Sequence, residues 1–157
     1  MPVLVLPIGC VGSGKSTFVA ENFNNGNPLR IATIVCPDKI RVRENGSKHN
    51  QSRPNYIFGI AHQEMCDALR RGENVVMDAT NISSFHRANL IKTAREAGAT
   101  QVWGIWIDAS LETCLQRNRQ RPYEDRVIDE SVIHRMHEEL QWVEAHGFDK
   151  LYYIDNN

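Results

Sequence analysis

Gly9 to Ser16 reads G-C-V-G-S-G-K-S, a full match to G-x-x-x-x-G-K-[ST] placed directly after the apolar run VLVLPI. Glycines at these positions let the backbone turn tightly and bring its N–H groups against phosphate oxygens, and a helix starting near Lys15 adds its positive end. Lys15 is long enough to reach the β- and γ-phosphates, and the Ser16 hydroxyl can ligate Mg²⁺. The stretch is therefore expected to hold ATP through Gly12, Ser13, Gly14, Lys15, Ser16 and Thr17. ATPases, GTPases and small kinases all begin this way, and the absence of an N-K-x-D motif speaks against a GTPase.

A kinase also needs groups for its acceptor, and three later places supply candidates. IVCPDKIRVR puts Asp38 just beyond a strand-like run, where a carboxylate can accept the proton of an attacking hydroxyl. Arg41 follows one helical turn later if DKIR opens a helix, and can hold an anionic acceptor. Asp38 also suits a helix N-cap after Pro37. VVMDATN sets Asp78 after three apolar residues, the acidic position that supports Mg²⁺ through water in many phosphate-loop proteins. Thr80 and Asn81 add polar groups there, although Asn81 or Ser83 equally suits the start of the next helix, on which Arg87 reads as a solvated arginine. CLQRNRQRPYEDRVIDESVIHRM then carries Arg117, Arg119, Arg121 and Arg126, with Pro122 ending the helix after Arg121. Arg117 and Arg121 share a helix face, whereas Arg119 does not. Arginines on a mobile lid close over ATP and stabilise the moving phosphoryl group; a salt-bridged surface helix would use the same residues.

These side chains need a frame, and the periodicity provides one. VLVLPI, IATIVC, NVVMDA, QVWGIWID and KLYYID are apolar runs of strand length, starting at Val3, Ile31, Asn74, Gln101 and Lys150. Helical patterns cover Lys15 to Asn24, Asn55 to Arg71, Ser83 to Ala97, Ser110 to Arg119 and Glu130 to His146. Such alternation predicts a parallel sheet covered by helices. RRGEN and EAGAT each set a glycine just past a helix, where a left-handed cap is wanted. RENGSKHNQSRPN from Arg43 is polar and reads as a long irregular loop that helps place an acceptor. Tyr56 and Phe58 read as core positions, with stacking on a terminal base as the other use. MHEELQWVEAH is an amphipathic helix with Leu140 and Val143 facing the core; His134 and His137 lack a third metal ligand and read as helix-face histidines.

Composition narrows the classes further. The 157 residues, 41% apolar, fit one domain over 1–157 with a lid at about 117–128. A formal charge of −1 leaves no general basic field for nucleic acid, so contact with a polynucleotide must be local. No run approaches the roughly 20 apolar residues that span a membrane, and no signal-peptide pattern opens the chain. Cys10, Cys36, Cys66 and Cys114 are scattered and read as buried thiols, so a reducing cytoplasm is expected.

In order, GCVGSGKST, the D-x-x-R of Asp38 and Arg41, DATN followed by Arg87, and the lid RNRQR resemble the 5′-hydroxyl polynucleotide kinases from end to end. These are the kinase half of end-healing polynucleotide kinase-phosphatases, within the phosphate-loop (P-loop) kinases; AHGFDKLYYI is similar to the tail of related domains. The resemblance implies a three-layer α/β P-loop kinase fold, a parallel sheet of about five strands with helices on both faces and an Arg-rich lid. It implies that Asp38 is the general base, that Arg41 binds the acceptor's 3′-phosphate, and that Lys15 and Arg121 clamp the ATP phosphates, these four forming the catalytic set. Ser16 would hold Mg²⁺ and Arg117 would lie near the nucleotide, while Asp78 and Arg87 would belong to the acceptor side. The implied partner is a 5′-hydroxyl end of RNA or DNA. D-x-D-G-T and K-x-D-G do not occur, which implies healing partners, a phosphatase or ligase, on other chains. IVCPDKIR also lacks the polar residue often found before the aspartate, so a kinase for a nucleoside or sugar, or a nucleotide-binding switch, are the alternatives.

Overall fold

Apolar runs with little polar alternation suit a parallel sheet covered by helices, and in the computed structural model all five pair in parallel within one sheet of order β2-β3-β1-β4-β5, with β5 at an edge and Tyr152 and Tyr153 exposed. The structure describes residues 2–23, 29–122, 127–140 and 142–157. The strands are β1 (Val3–Ile8), β2 (Ile31–Val35), β3 (Asn74–Met77), β4 (Gln101–Asp108) and β5 (Lys150–Asp155). The helices are α1 (Lys15–Asn22), α2 (Pro37–Asn45), α3 (Pro54–Arg70), α4 (Ser84–Glu96), α5 (Leu111–Arg119) and α6 (Glu130–Glu139). β1 is central, with Val5 level with Val76 of β3 and Trp103 of β4.

Because strand side chains alternate, β1 feeds two cores. Leu4, Leu6 and Ile8 pack with Ile40 of α2, Met65 of α3, Leu90 of α4, Leu115 of α5 and Ile133 of α6. Val5 points the other way, toward Val19 and Phe23 around α1. The result is three layers, with α1 on one face and α2 to α6 on the other.

Local signals account for most boundaries. Ser83 and Ser110 cap α4 and α5, and Gly72 and Gly98 take left-handed backbone just past α3 and α4, as expected. Three expectations need correction. Arg43 to Asn45 belong to α2, so the irregular stretch is only 46–53, and Asn45 at the end of α2 clasps it: Asn45 Nδ2 donates to the Ser52 backbone carbonyl (2.9 Å) and Arg53 Nη2 to Asn45 Oδ1 (2.8 Å). Tyr56 and Phe58 are exposed, not core, each under an arginine (Arg53 and Arg41). Helix α6 ends at Glu139; Leu140 and Val143 are buried as expected, but Val143 lies beyond the helix, so the apolar spacing outlasted the helix it suggested.

Two polar ties hold the elements that border the site. Asn118, fully buried on α5, donates to Ile128 O (2.7 Å) and accepts from Ile128 N (2.9 Å), tying α5 to the residues that lead into α6; of the stretch expected as a lid, 123–126 lie outside the described residues. Asn118→Ala leaves both backbone groups unpaired and opens a void, and is expected to cost about 2–4 kcal/mol in a urea titration. At the start of β5, Asp149 accepts from Val102 N (2.7 Å) and Arg95 Nη2 (3.0 Å), and these bonds, the first above all, hold its carboxyl below the ordinary value of 3.8. A depressed carboxyl stabilises the fold above its unfolded value, and that contribution disappears as pH falls through the folded one. Thermal melts from pH 7 to pH 2 should therefore show a shallower acid loss in Asp149→Asn than in the native chain.

Candidate active site

The loop after β1 is shaped by what glycine omits. A Cβ on Gly9 would lie 2.5 Å from Ser13 Oγ and 2.7 Å from Ile107 O. Gly12, at φ +84°, would put one 2.5 Å from Cys114 O, and Gly14, at φ +92°, would drive one into the Asn156 amide. Gly14 is also the N-cap of α1, which has neither a side-chain cap nor an acidic residue in its first turn, so the helix presents open N–H groups. Ser13 Oγ is buried without a partner, a donor waiting inside the loop. Burial holds the Lys15 ammonium below the usual lysine range, opposed by Asp78, Cys36 and Asp38, with Arg121 pushing it further down. Ser16 and Thr17 are at the start of α1 and both are exposed. Desolvated cation, open amides and orphan hydroxyl together fit an anion the size of a polyphosphate.

On the β2–β3 side, Cys36 is the N-cap of α2 and Pro37 its first residue, so Asp38 sits in the first turn and does not cap. Arg41 Nη1 reaches Asp38 Oδ1 at 2.6 Å, and its guanidinium lies 5.5 Å from the Phe58 ring centre. The Arg41 side chain is 12% exposed and that of Asp38 46%, so the carboxylate is the accessible member of the pair. Asp78, at the end of β3, is pushed up from the usual carboxylate range by burial, against the pull of Lys15 and then Lys39. Lys15, Asp38, Asp78 and Arg121 thus share one electrostatic neighbourhood.

Asn81 takes left-handed backbone (φ 53°) and spends its amide on the strand ends, donating to Pro7 O (2.7 Å), Ala79 O (3.1 Å) and Met77 O (3.2 Å). With Gly9 N bonded to Thr80 O (3.1 Å), the turn after β3 fixes where the phosphate loop begins. Arg87 differs from the solvated arginine expected: it is 8% exposed and donates to Asn81 O (2.8 Å) and Ile82 O (2.6 Å), supporting that turn from beneath.

The β4–β5 side holds Arg117 and Arg119 of α5. Arg117 donates to Gly12 O and Ser13 O (3.3 Å each) and to Asn156 O (2.7 Å), while Asn156 Nδ2 donates to Ser13 O (2.7 Å). Arg119, off that face, pairs with Glu130 of α6 (2.6 Å). Helix α5 ends at Arg119, so Arg121 and Pro122 follow it; Arg126 lies outside the described residues. Asn156 and Lys39 escaped sequence reasoning. Asn156 belongs to no motif and gains its place only because β5 pairs with β4; Lys39, inside D-x-x-R, gave a signal by charge alone. Among the described residues no three His, Cys, Asp or Glu side chains gather around a metal site, and no helix is long and apolar enough to cross a membrane. Cys10 is buried, and burial lifts its thiol to about 12.

Known proteins share this frame. A family profile described as AAA domain matches residues 4–143. L-seryl-tRNA(Sec) kinase of Methanococcus maripaludis is 26% identical over 138 residues, covering 88% of this chain and 52% of its own length. A chain in the structure of the Pnkp1/Rnl/Hen1 RNA repair complex superposes with TM-score 0.77 at 25% identity, covering 89% of this chain and 44% of its own. A gluconokinase from Sinorhizobium meliloti 1021 superposes with TM-score 0.58 at 17% identity over 99% and 83%, a likeness of fold. The chain spans about half the length of the first two. The architecture is P-loop kinase-like, a parallel five-stranded sheet with helices on both sides.

Proposed function

The chain belongs to the AAA-domain family, and on that premise we propose that it transfers the γ-phosphoryl group of ATP, with Mg²⁺, to the 5′-hydroxyl end of RNA or DNA. What carries the reading is the Asp38–Arg41 pair, 2.6 Å apart, beside a phosphate loop whose lysine feels both Asp38 and Asp78. Asp38 takes the proton of the acceptor hydroxyl as its oxygen bonds to the γ-phosphorus, and the bond to the ADP oxygen breaks. Lys15 and Arg121 hold the charge that develops on the transferred group and on ADP.

Arg41 is the acceptor anchor. A phosphate next to the attacked sugar competes with Asp38 for its guanidinium, and bidentate arginine suits a phosphate better than lysine would. Asp78 and Arg87 belong to the acceptor side, Asp78 by its carboxylate and Arg87 through the turn it supports. The Ser16 hydroxyl and the Asp78 carboxylate are hard oxygen donors of the kind Mg²⁺ takes, directly or through water, so these residues fit the ion. Held there, the ion would supply positive charge against the negative charge of the phosphate oxygens during transfer. Phosphatase and ligase steps would be supplied by protein outside these residues.

The chain in the RNA repair complex supports a nucleic-acid acceptor, and the seryl-tRNA(Sec) kinase supports an acceptor hydroxyl carried on RNA. An acceptor panel tests the reading: with Mg²⁺ and labelled ATP, a nucleoside 3′-monophosphate should be phosphorylated and a free nucleoside hardly at all. Equal use of both, or preference for gluconate or another sugar, would assign the chain to a small-molecule kinase.

A further inference from the structure

The donor's base can be located from the order of the strands. Asp38 follows β2 and Asp78 follows β3, on one side of central β1; Arg117 is on α5 after β4 and Asn156 follows β5, on the other. In-line transfer sets acceptor and leaving group on opposite sides of the γ-phosphorus, so the nucleoside belongs on the β4–β5 side. There a concavity of about 290 Å³ opens beside the phosphate loop, lined by Gly14, Thr17, Phe18, Glu21, Arg117 and Asn156.

Asn156 is held there by three bonds. Its backbone N–H donates to Asp108 O (2.7 Å) and its carbonyl accepts from Arg117 (2.7 Å). Its side-chain nitrogen donates to Ser13 O (2.7 Å). Ser13 O is only an acceptor, which dictates which end of the amide faces it: the nitrogen. The other end, Oδ1, has no donor among the described residues, and the residue lines the cavity. A fixed carbonyl-type oxygen in a nucleoside pocket accepts from an exocyclic amine and repels a carbonyl.

We propose that Asn156 reads the donor base, its amide oxygen accepting from the 6-amino group of adenine while its amide nitrogen stays on the phosphate loop, so that the chain prefers adenine to 6-oxo purine nucleotides. This rests on nucleotide binding at that loop, not on the identity of the acceptor. Glu21 also borders the cavity, but it is exposed on α1, where water screens its carboxylate.

Equilibrium titration of the whole chain with ATP, ITP and tripolyphosphate separates reading the base from holding the loop. The native chain should bind ATP about tenfold tighter than ITP. Asn156→Ala should bring that ratio to about one, and Asn156→Asp, which keeps an acceptor oxygen but loses the nitrogen, should preserve it while weakening tripolyphosphate. A native ratio near one would overturn the proposal. So would an unchanged ratio in Asn156→Ala with all three ligands weakened together, which is the signature of a strap alone, or a ratio that collapses in Glu21→Gln instead. Failure of tripolyphosphate and ATP alike to bind the native chain would remove the nucleotide-binding reading itself, an outcome distinct from all of these.

Discussion

Asp38→Ala is expected to lower phosphoryl transfer by about 10²–10⁴-fold while ATP affinity stays within about twofold. The carboxylate is the exposed member of its pair with Arg41, it caps no helix, and it accepts a hydrogen bond from that arginine at 2.6 Å. Removing it therefore takes away a proton acceptor and little of the frame. Arg41 keeps its place against Phe58 and remains able to hold an anion. The split between chemistry and binding is the informative part, read by single-turnover transfer alongside equilibrium ATP titration. A matching loss of ATP affinity would show Asp38 acting on the phosphate loop and not on the acceptor.

Gly12→Ala should abolish ATP binding and destabilise the nucleotide-free chain by about 2–5 kcal/mol. Two costs combine: a left-handed φ of +84°, and a Cβ placed 2.5 Å from Cys114 O and 3.0 Å from Cys114 Cα. Both obstacles are backbone of α5, so relief requires the loop and helix to part. Gly46→Ala isolates the first cost, because Gly46 has the same φ of +84° with nothing within 4 Å of where its Cβ would sit. That change should cost about 1 kcal/mol and leave ATP binding intact. Urea titrations of the two variants, read beside ATP titrations, separate strain from collision.

Where function depended on neighbours in sequence, the sequence was informative. The glycines and Lys15 signal the phosphate loop because a tight turn, close phosphate approach and a helix start all fall within eight residues. Strands β1, β3 and β4 were legible because a sheet covered on both faces needs apolar runs, whereas β5 is an edge strand left largely exposed. Helix α2 was less so: only Pro37 and Ile40 of it are buried, leaving too little apolar pattern to distinguish helix from loop. Arg87 looked like a surface residue because nothing local announces that its guanidinium will be taken up by carbonyls of Asn81 and Ile82. Asn156 is the extreme case, since its contact with Ser13 joins positions 143 residues apart. Long-range polar ties of this kind arise from strand order, and no periodicity encodes strand order.

The destination of the γ-phosphate separates a polynucleotide kinase from a small-molecule kinase and from a nucleotide-binding switch. The most direct measurement incubates the chain with Mg²⁺, γ-labelled ATP and a 5′-hydroxyl RNA or DNA oligonucleotide, digests the product fully, and asks which nucleotide carries label. Label confined to the 5′-terminal nucleotide, as a 5′-phosphate, is the predicted result. ATP bound and oligonucleotide left unlabelled, with label instead on a free sugar or nucleoside or on nothing, would contradict it.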